Sequence, residues 1–554
     1  MSNIVANLTG SIPLVKDAWS GYLAQAQEIQ TYKLLLIGGA MIPILSVVLN
    51  VLYQLIIPRR KTDPPLVFHW FPIIGSAISY GTDPVGFFFR CREKYGNVFT
   101  FVLIGRRVTV ALGPQGNNFV LAGKGTTFSA EDAYTHLTTP VFGKDVVYDV
   151  PNDKFMEQKK FVKVGLSSEN MKLYVGMIED EVEEFLKNDN AFAAYQKGTD
   201  EWGSEDAVKI LSEITILTAS RTLQGREVRG NLDKNFAQLY SDLDGGFTPI
   251  NFLFPNLPLE NYRKRDVAQA KMSQFYQNFI RQRRQGNLEH DHDMMAALMA
   301  QKYRTGEPLK DHEIAHMMIA LLMAGQHTSS ATGSWALLHL AANPDVAEAL
   351  YQEQVKYFAA PDGSLRSLSL EELRQLPLLD SVIRETLRMH PPIHSIMRYV
   401  RDDVAVPTTL STPSENTTYV VPKGYYVLAS PLVSQMDPTI WREPGKWDPY
   451  RWSDPEGVAA QAYKDYTNEA GEKIDYGFGA VSKATDSPYQ PFGAGRHRCI
   501  GEQFAYLQLG VVVSTFIRRL ELRLHGEVPT TDFTTMISMP KEPRHIQFRR
   551  RKVD

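Results

Sequence analysis

An unbroken helical pattern runs from Asp311 to Asn343, opened by acidic residues and closed at Asn343-Pro344. At 1.5 Å per residue such a helix is roughly 50 Å long and must cross most of the domain that contains it. Its middle is polar, with Gln326, His327, Thr328, Ser329, Ser330 and Thr332 close together. Those groups make a membrane span expensive, so the pattern predicts a buried helix with a polar site at its centre. The chain has 554 residues, 44% of them apolar and 22% charged, which is ample for a core around such a helix. A formal net charge of -3 offers no global basic field, and nucleic acid is not an expected partner.

A first apolar run near the N-terminus, Leu34 to Ile57, is interrupted only by Ser46, Asn50 and Gln54. It is long enough to cross a bilayer and lacks the small-residue cleavage site of a removable signal. Pro58, Arg59, Arg60 and Lys61 follow it, whereas only Lys16 and Lys33 precede it. The positive-inside rule therefore places residues 1–33 in the lumen, 34–57 as a single transmembrane helix and the remainder in the cytosol. Asn7-Leu8-Thr9 would then be a lumenal glycosylation sequence. Residues 58–75 read as a stiff proline-rich linker, with Phe68, Trp70 and Phe71 among Pro64, Pro65 and Pro72, and residues 76–554 as one large domain.

Further helices are expected at Pro344–Phe358, Leu379–Met389 and Glu502–Leu522. Short strands are expected at Val98–Leu103, Arg107–Leu112, Thr418–Val421 and Tyr425–Ala429, and a long surface loop at Ser453–Pro491.

Cys91 and Cys499 are the two cysteines, which excludes a disulfide framework. Cys91 lies between Arg90 and Arg92 in an expected helix and reads as an inert buried thiol. Cys499 closes Phe492-Gly493-Ala494-Gly495-Arg496-His497-Arg498-Cys499-Ile500-Gly501, a glycine-rich turn running into a helix. The helix start and the charges of Arg496 and Arg498 favour a thiolate there, and glycines let a flat ligand approach the sulfur. A thiolate so placed can be an axial iron ligand.

Phe492, Gly495, Cys499 and Gly501 resemble the cysteine loop of the cytochrome P450 family of haem-thiolate monooxygenases. Glu385-Thr386-Leu387-Arg388 is similar to the family's Glu-x-x-Arg pair, and Arg451 to the third member of its charge cluster. Ala324-Gly325-Gln326-His327-Thr328-Ser329 is similar to its oxygen-activation segment, with His327 where most members carry an acid. That departure resembles the sterol 14α-demethylases. So do the stretches Ala130–Gly143, Val147–Asp149, Met156–Phe161, Phe247–Phe252 and His394–Arg398, and the loop Ser453–Pro491 is similar to an insertion of the fungal members.

The resemblance implies a mainly α-helical prism with small β-sheets, preceded here by the single transmembrane helix. It implies haem b with Cys499 as the metal ligand, seated on Phe492 and Gly493, with Tyr134, Tyr148, Lys159, Arg398 and His497 around the propionates. Thr138, Phe142, Phe247, Pro249, Ala324, His394, Ser395, Met397, Met536 and Ile537 match the lining that takes a sterol. Thr328, His327 and Asp244 match a proton-delivery set, with His327 and Asp244 expected to pair across the substrate channel. The implied activity is removal of a sterol 14α-methyl group as formate by three monooxygenations, leaving a 14,15 double bond. Electrons would come from NADPH through a flavoprotein reductase, with O2 as oxidant, at the endoplasmic-reticulum membrane. Azole drugs are the implied inhibitors. A monooxygenase for another hydrophobic substrate, a haem-thiolate protein without reductive oxygen activation, and a haem-free sterol binder are the alternatives.

Overall fold

The computed structural model describes residues 41–552 except 199, 249, 252–253, 287–292, 412–417 and 465–484. Pro249, Asn7 and the start of the first apolar run thus lie outside the described residues. Residues 41–56 are helical and expose Ile42, Leu45, Leu49, Leu52, Leu55 and Ile56. Among the described residues no helix is long and apolar enough to cross a membrane.

The proline-rich stretch is hydrogen-bonded along the domain. Thr100 N–H donates to Pro65 O at 2.7 Å, Val67 N–H to Thr100 O at 2.7 Å and Ser76 N–H to Val102 O at 2.8 Å. Prolines can serve here because the stretch is an edge that needs only every other backbone group.

Strand β1 (Val98–Leu103) pairs antiparallel with β2 (Arg106–Ala111). The two-residue strand β3 (Phe128–Ser129), β4 (Ile396–Val400) and β5 (Tyr426–Ala429) complete a five-stranded sheet of order β1-β2-β5-β4-β3. β2 and β5 run parallel, with Thr109 opposite Val427. The strand expected at Thr418–Val421 is only Val420–Val421.

Five helices frame the site: α1 (Ala130–Phe142), α2 (Lys234–Asp244), α3 (Asp311–Ala342), α4 (Pro377–Met389) and α5 (Glu502–Arg519). In α3 the Glu313 carboxylate accepts the Lys310 N–H at 2.9 Å, and Asn343 ends the helix. Helices Ala207–Ala219 and Glu260–Arg284 pack on α3, as does α5, so α3 is buried on nearly every face. Pro344–Phe358 is helical, as its pattern predicts.

Two expectations are corrected. α5 stops at Arg519 because Leu520–Arg523, an alternating buried and half-buried run, turns into a strand paired with His545–Arg550. Of the expected surface loop, residues 465–484 lie outside the described residues; residues 458–464 form a helix, and Tyr489 and Gln490 are buried beside the cysteine turn.

Candidate active site

The cysteine turn is held by its own backbone. Cys499 N–H donates to Phe492 O at 3.0 Å, Gly493 N–H to Gln490 O at 3.0 Å and Arg498 N–H to Gly495 O at 3.1 Å. Gly495 has φ 70°, and a Cβ there would lie 2.2 Å from the Leu121 carbonyl oxygen, so no other residue fits. Gly493 has φ 68° and sits against Ile396, while the Phe492 ring packs on Tyr506 at 5.6 Å. Gly501 caps α5 and puts its N–H on the Cys499 sulfur.

The electrostatics differ from the sequence expectation. Burial pushes the Cys499 thiol up, and the Glu502 charge adds to this; the Gly501 N–H, Lys159 and Arg498 oppose it. Arg498 is largely neutralised by Glu502 at 2.7 Å, both buried. Burial thus works against the thiolate, and coordination to a metal cation would favour it. The sulfur presents open surface although it lies deep in the fold, so that surface faces an internal space. Cys91, buried in its helix and pushed up to about 11 by burial, offers no such face.

Behind the turn, the charge cluster is buried at Glu385 and Arg388 and half-buried at Arg451. Glu385 and Arg388 are both fully buried and 2.8 Å apart, and Arg451 Nε reaches Glu385 at 2.9 Å. Trp452 Nε1 and Asp448 N–H also donate to Glu385, at 3.0 and 3.1 Å. Arg388 donates to the Gln435 carbonyl at 2.8 Å, and the Gln435 side-chain oxygen accepts Gln490 N–H at 2.9 Å. Gln490 then holds Gly493, which completes a bonded path from the ion cluster to the cysteine turn. Removing one partner of a buried pair of this kind costs about 3–5 kcal/mol.

On the other side of the turn, Tyr134 stacks on Tyr148 at 5.5 Å, and Phe155 stacks on His497 at 5.4 Å. Tyr134 Oη accepts the Met397 N–H at 2.8 Å, Arg398 Nη1 donates to Met397 O at 2.8 Å, and Lys159 donates to Arg496 O at 2.9 Å. His497 is held well below the ordinary histidine range by burial and then by Arg398, Lys159 and Arg496. Its Nδ1 is buried without a hydrogen-bond partner among the described residues. A buried unpartnered ring nitrogen under three cations fits the carboxylates of a haem. With the open Cys499 sulfur, these residues match that group in both metal ligand and anion seat.

The polar centre of α3 stays helical through Ala324–Thr328. Thr328 Oγ1 donates to Ala324 O at 2.7 Å and Thr332 Oγ1 to Thr328 O at 2.9 Å, within a regular helix. Ala324 is exposed and Gly325, His327 and Thr328 are half-open, although the helix around them is buried. A Cβ at Gly325 would meet nothing within 4 Å, so the helix borders open space there.

His327 Nε2 lies 2.9 Å from Asp244 Oδ1, across from α2. Tyr240, one turn before Asp244, places its hydroxyl 3.0 Å from the same nitrogen and donates to Gln326 Oε1 at 2.9 Å. The sequence reading missed Tyr240, although its i−4 spacing from Asp244 put it on the same face of α2.

The apolar lining gathers only in part. Phe142 and Phe247 meet at 5.6 Å, and Thr138 Oγ1 donates to Tyr134 O at 3.1 Å. His394 bonds Ser395 Oγ at 2.9 Å, packs between Tyr80 and Phe533, and is pushed down to about 4 by burial. Met536 and Ile537 lie half-buried just before Ser538, whose N–H donates to Pro392 O and whose carbonyl accepts Trp335 Nε1 of α3. Tyr80 and Gln435 were not legible, because nothing local in the sequence marks them.

The family model for cytochrome P450 matches residues 64–548. The chain is 56% identical over 516 residues to the lanosterol 14-alpha demethylase of Mycosarcoma maydis, covering 91% of each. It is 50% identical over 514 residues to the eburicol 14-alpha-demethylase of Uncinula necator, covering 92% of this chain and 94% of that one. The retinoic acid-bound cyanobacterial CYP120A1 shares the fold with a TM-score of 0.69 at 20% identity, over 89% of this chain and all of that one. The chain belongs to the cytochrome P450 family.

Proposed function

We propose that the chain is a sterol 14α-demethylase acting on lanosterol or eburicol in ergosterol biosynthesis. The observation that carries this is its match, over nine-tenths of its length, to proteins named for that reaction. Haem b is the implied group, with the Cys499 thiolate on its iron; when bound it supplies the oxidising chemistry with dioxygen. Lys159, Arg398, His497, Tyr134 and Tyr148 hold its carboxylates. Phe142, Phe247, Thr138, Ala324, His394, Ser395, Met397, Met536 and Ile537 shape the sterol cavity, with Pro249 expected among them.

The proton route follows exposure. Asp244 is 43% exposed and His327 22%, so Asp244 exchanges with water and His327 passes the proton inward. Thr328, whose hydrogen is given to Ala324 O, keeps its oxygen lone pairs free to accept from a water at the reacting centre.

Electrons would come from NADPH through a membrane flavoprotein reductase, and azoles would inhibit at the haem that Cys499 holds. Residues 34–57 anchor the chain in the endoplasmic-reticulum membrane with the N-terminus lumenal, where a substrate nearly insoluble in water is dissolved. Turnover of both sterols with reductase and NADPH, reading formate and the 14,15-unsaturated product, tests the assignment. Hydroxylation of some other lipid with no formate from either sterol would overturn it.

A further inference from the structure

Asn50 and Gln54 interrupt the first apolar run, and the structure gives both a task. Asn50 Nδ2 donates to the His69 and Trp70 carbonyls at 2.9 and 3.0 Å. Gln54 Nε2 donates to His69 O at 2.8 Å, and its Oε1 accepts His69 N–H at 3.2 Å. The helix of residues 41–56 is thereby locked at a fixed angle to the first strands of the domain.

Where that helix ends, a cavity of about 140 Å³ opens between it and the sheet edge. Its polar wall is Tyr53, Arg59, Arg60, Asp63, Arg107 and Tyr425. Three arginines, Arg59, Arg60 and Arg107, line it with a single carboxylate, Asp63, and among the described residues none of the three arginines forms an ion pair. Arg107 donates to the hydroxyls of Tyr425 and Tyr53, which fixes its head group. The Arg59 guanidinium is held below its ordinary value by burial and by Arg107, with Tyr53, Asp63 and Tyr425 opposing. The same two arginines help depress His69, after burial. The cavity is a preformed cationic seat whose charges repel one another until an anion enters.

We propose that this seat binds the phosphate group of an anionic phospholipid and so sets the depth and tilt of the catalytic domain at the bilayer. The chemistry fits a phosphate: planar guanidinium forks offer paired N–H donors, and two tyrosine hydroxyls complete the wall. The source is a lipid because the seat begins where the exposed apolar helix ends, at the level of a bilayer's phosphates. This rests on the reading of residues 34–57 as a membrane anchor.

The full-length, haem-loaded chain is incubated with phosphatidylcholine vesicles, with or without a minority of phosphatidic acid. Flotation reports anchoring, and mass spectrometry after mild detergent extraction reports the lipid retained. The parent is expected to float with both vesicles and to retain phosphatidic acid selectively. Arg59→Gln and Arg107→Gln should each lower that retention about tenfold or more, the loss expected when a charged donor to a seated phosphate is removed. Lys61→Gln, outside the seat, should leave it unchanged; equal loss with Lys61→Gln would reduce the effect to diffuse basic attraction and overturn the site. Retention that survives added inorganic phosphate supports a lipid ligand, whereas displacement by inorganic phosphate overturns it in favour of a free-anion site. Failure to float with either vesicle would instead remove the anchor reading on which the proposal stands. Among the described residues the Arg59 side chain makes no hydrogen bond or ion pair to the domain, so its variant separates loss of the site from loss of the fold.

Discussion

At the scale of single residues, the two cysteines make the sharpest contrast. Cys499 is presented by a glycine turn to an internal space, and Cys91 is packed among Phe87, Phe88 and Phe99. Cys499→Ala should abolish the reduced carbon monoxide band that names the family, while Cys91→Ala keeps it; survival of the band without Cys499 would refute the ligand assignment. The α2–α3 contact yields a second expectation. Asp244→Asn and His327→Ala should each retain sterol binding and the band, yet slow demethylation and release hydrogen peroxide. Tyr240→Phe removes one hydroxyl that touches both Gln326 and His327, and should slow turnover less than either, because the Asp244–His327 pair stays intact. Parent rates with tight coupling of NADPH to product in all three would show that no proton travels this way.

Between elements, α3 and α4 meet through histidines that must stay neutral. His339 Nε2 lies 3.0 Å from His390 Nε2, His390 stacks on Trp335 at 3.6 Å, and His339 stacks on Trp447 at 5.0 Å. Burial pushes His339 from 6.5 down to about 3, and burial, His339 and Arg388 drive His390 well below its ordinary value. A histidine depressed by folding takes its proton more readily in the unfolded chain, so stability falls as pH drops through the ordinary value of 6.5 toward about 3. Each such group contributes a slope of about 1.4 kcal/mol per pH unit in that window. Urea midpoints taken at about pH 7 and about pH 5 should fall in the parent and fall less in His339→Gln. An unchanged slope in that variant would place the sensitivity elsewhere. The junction was invisible in sequence because the two histidines stand 51 residues apart and neither belongs to a motif. The helices themselves were legible: α4 and Pro344–Phe358 carry a proline at the start and a periodic apolar face, and α3 opens on Asp311 and Glu313 and ends at Asn343-Pro344. β3, two residues long, exists only through its pairing with β4, and such contacts leave no local mark. The same distinction holds in the site: Cys499, Glu385, Arg388, Arg451 and His327 sit in patterned runs, whereas Gln435 acts through three distant backbone groups.

For the whole molecule, the distribution of exposed apolar surface says how the domain would meet a bilayer. Immediately after the helix of residues 41–56, Phe68, Trp70, Phe71, Ile73, Ile74 and Ile78 are exposed, with Trp70 at 61% and Ile78 at 67%. Val67 and Pro64 on the same stretch are buried, so the exposed set is held on a rigid edge and does not hang from a loop. A patch of this kind on a folded domain marks a surface that is covered in use. Full burial of one large apolar side chain contributes roughly 1.5–3 kcal/mol, and even partial immersion of several exceeds what a weak vesicle interaction needs. A chain lacking residues 1–57 should therefore keep the reduced carbon monoxide band and still associate with phosphatidylcholine vesicles, with a blue shift of tryptophan emission. Trp70→Ser with Ile73→Ser in the truncated chain should lower vesicle partitioning at least tenfold, from the loss of about 1.4 kcal/mol or more of apolar transfer, without moving the urea midpoint. The midpoint stays because these side chains are exposed in the folded domain and support none of its core. If the truncated parent stays wholly in solution, the exposed edge has another use, and the sterol must reach the cavity by a route that does not begin in the bilayer.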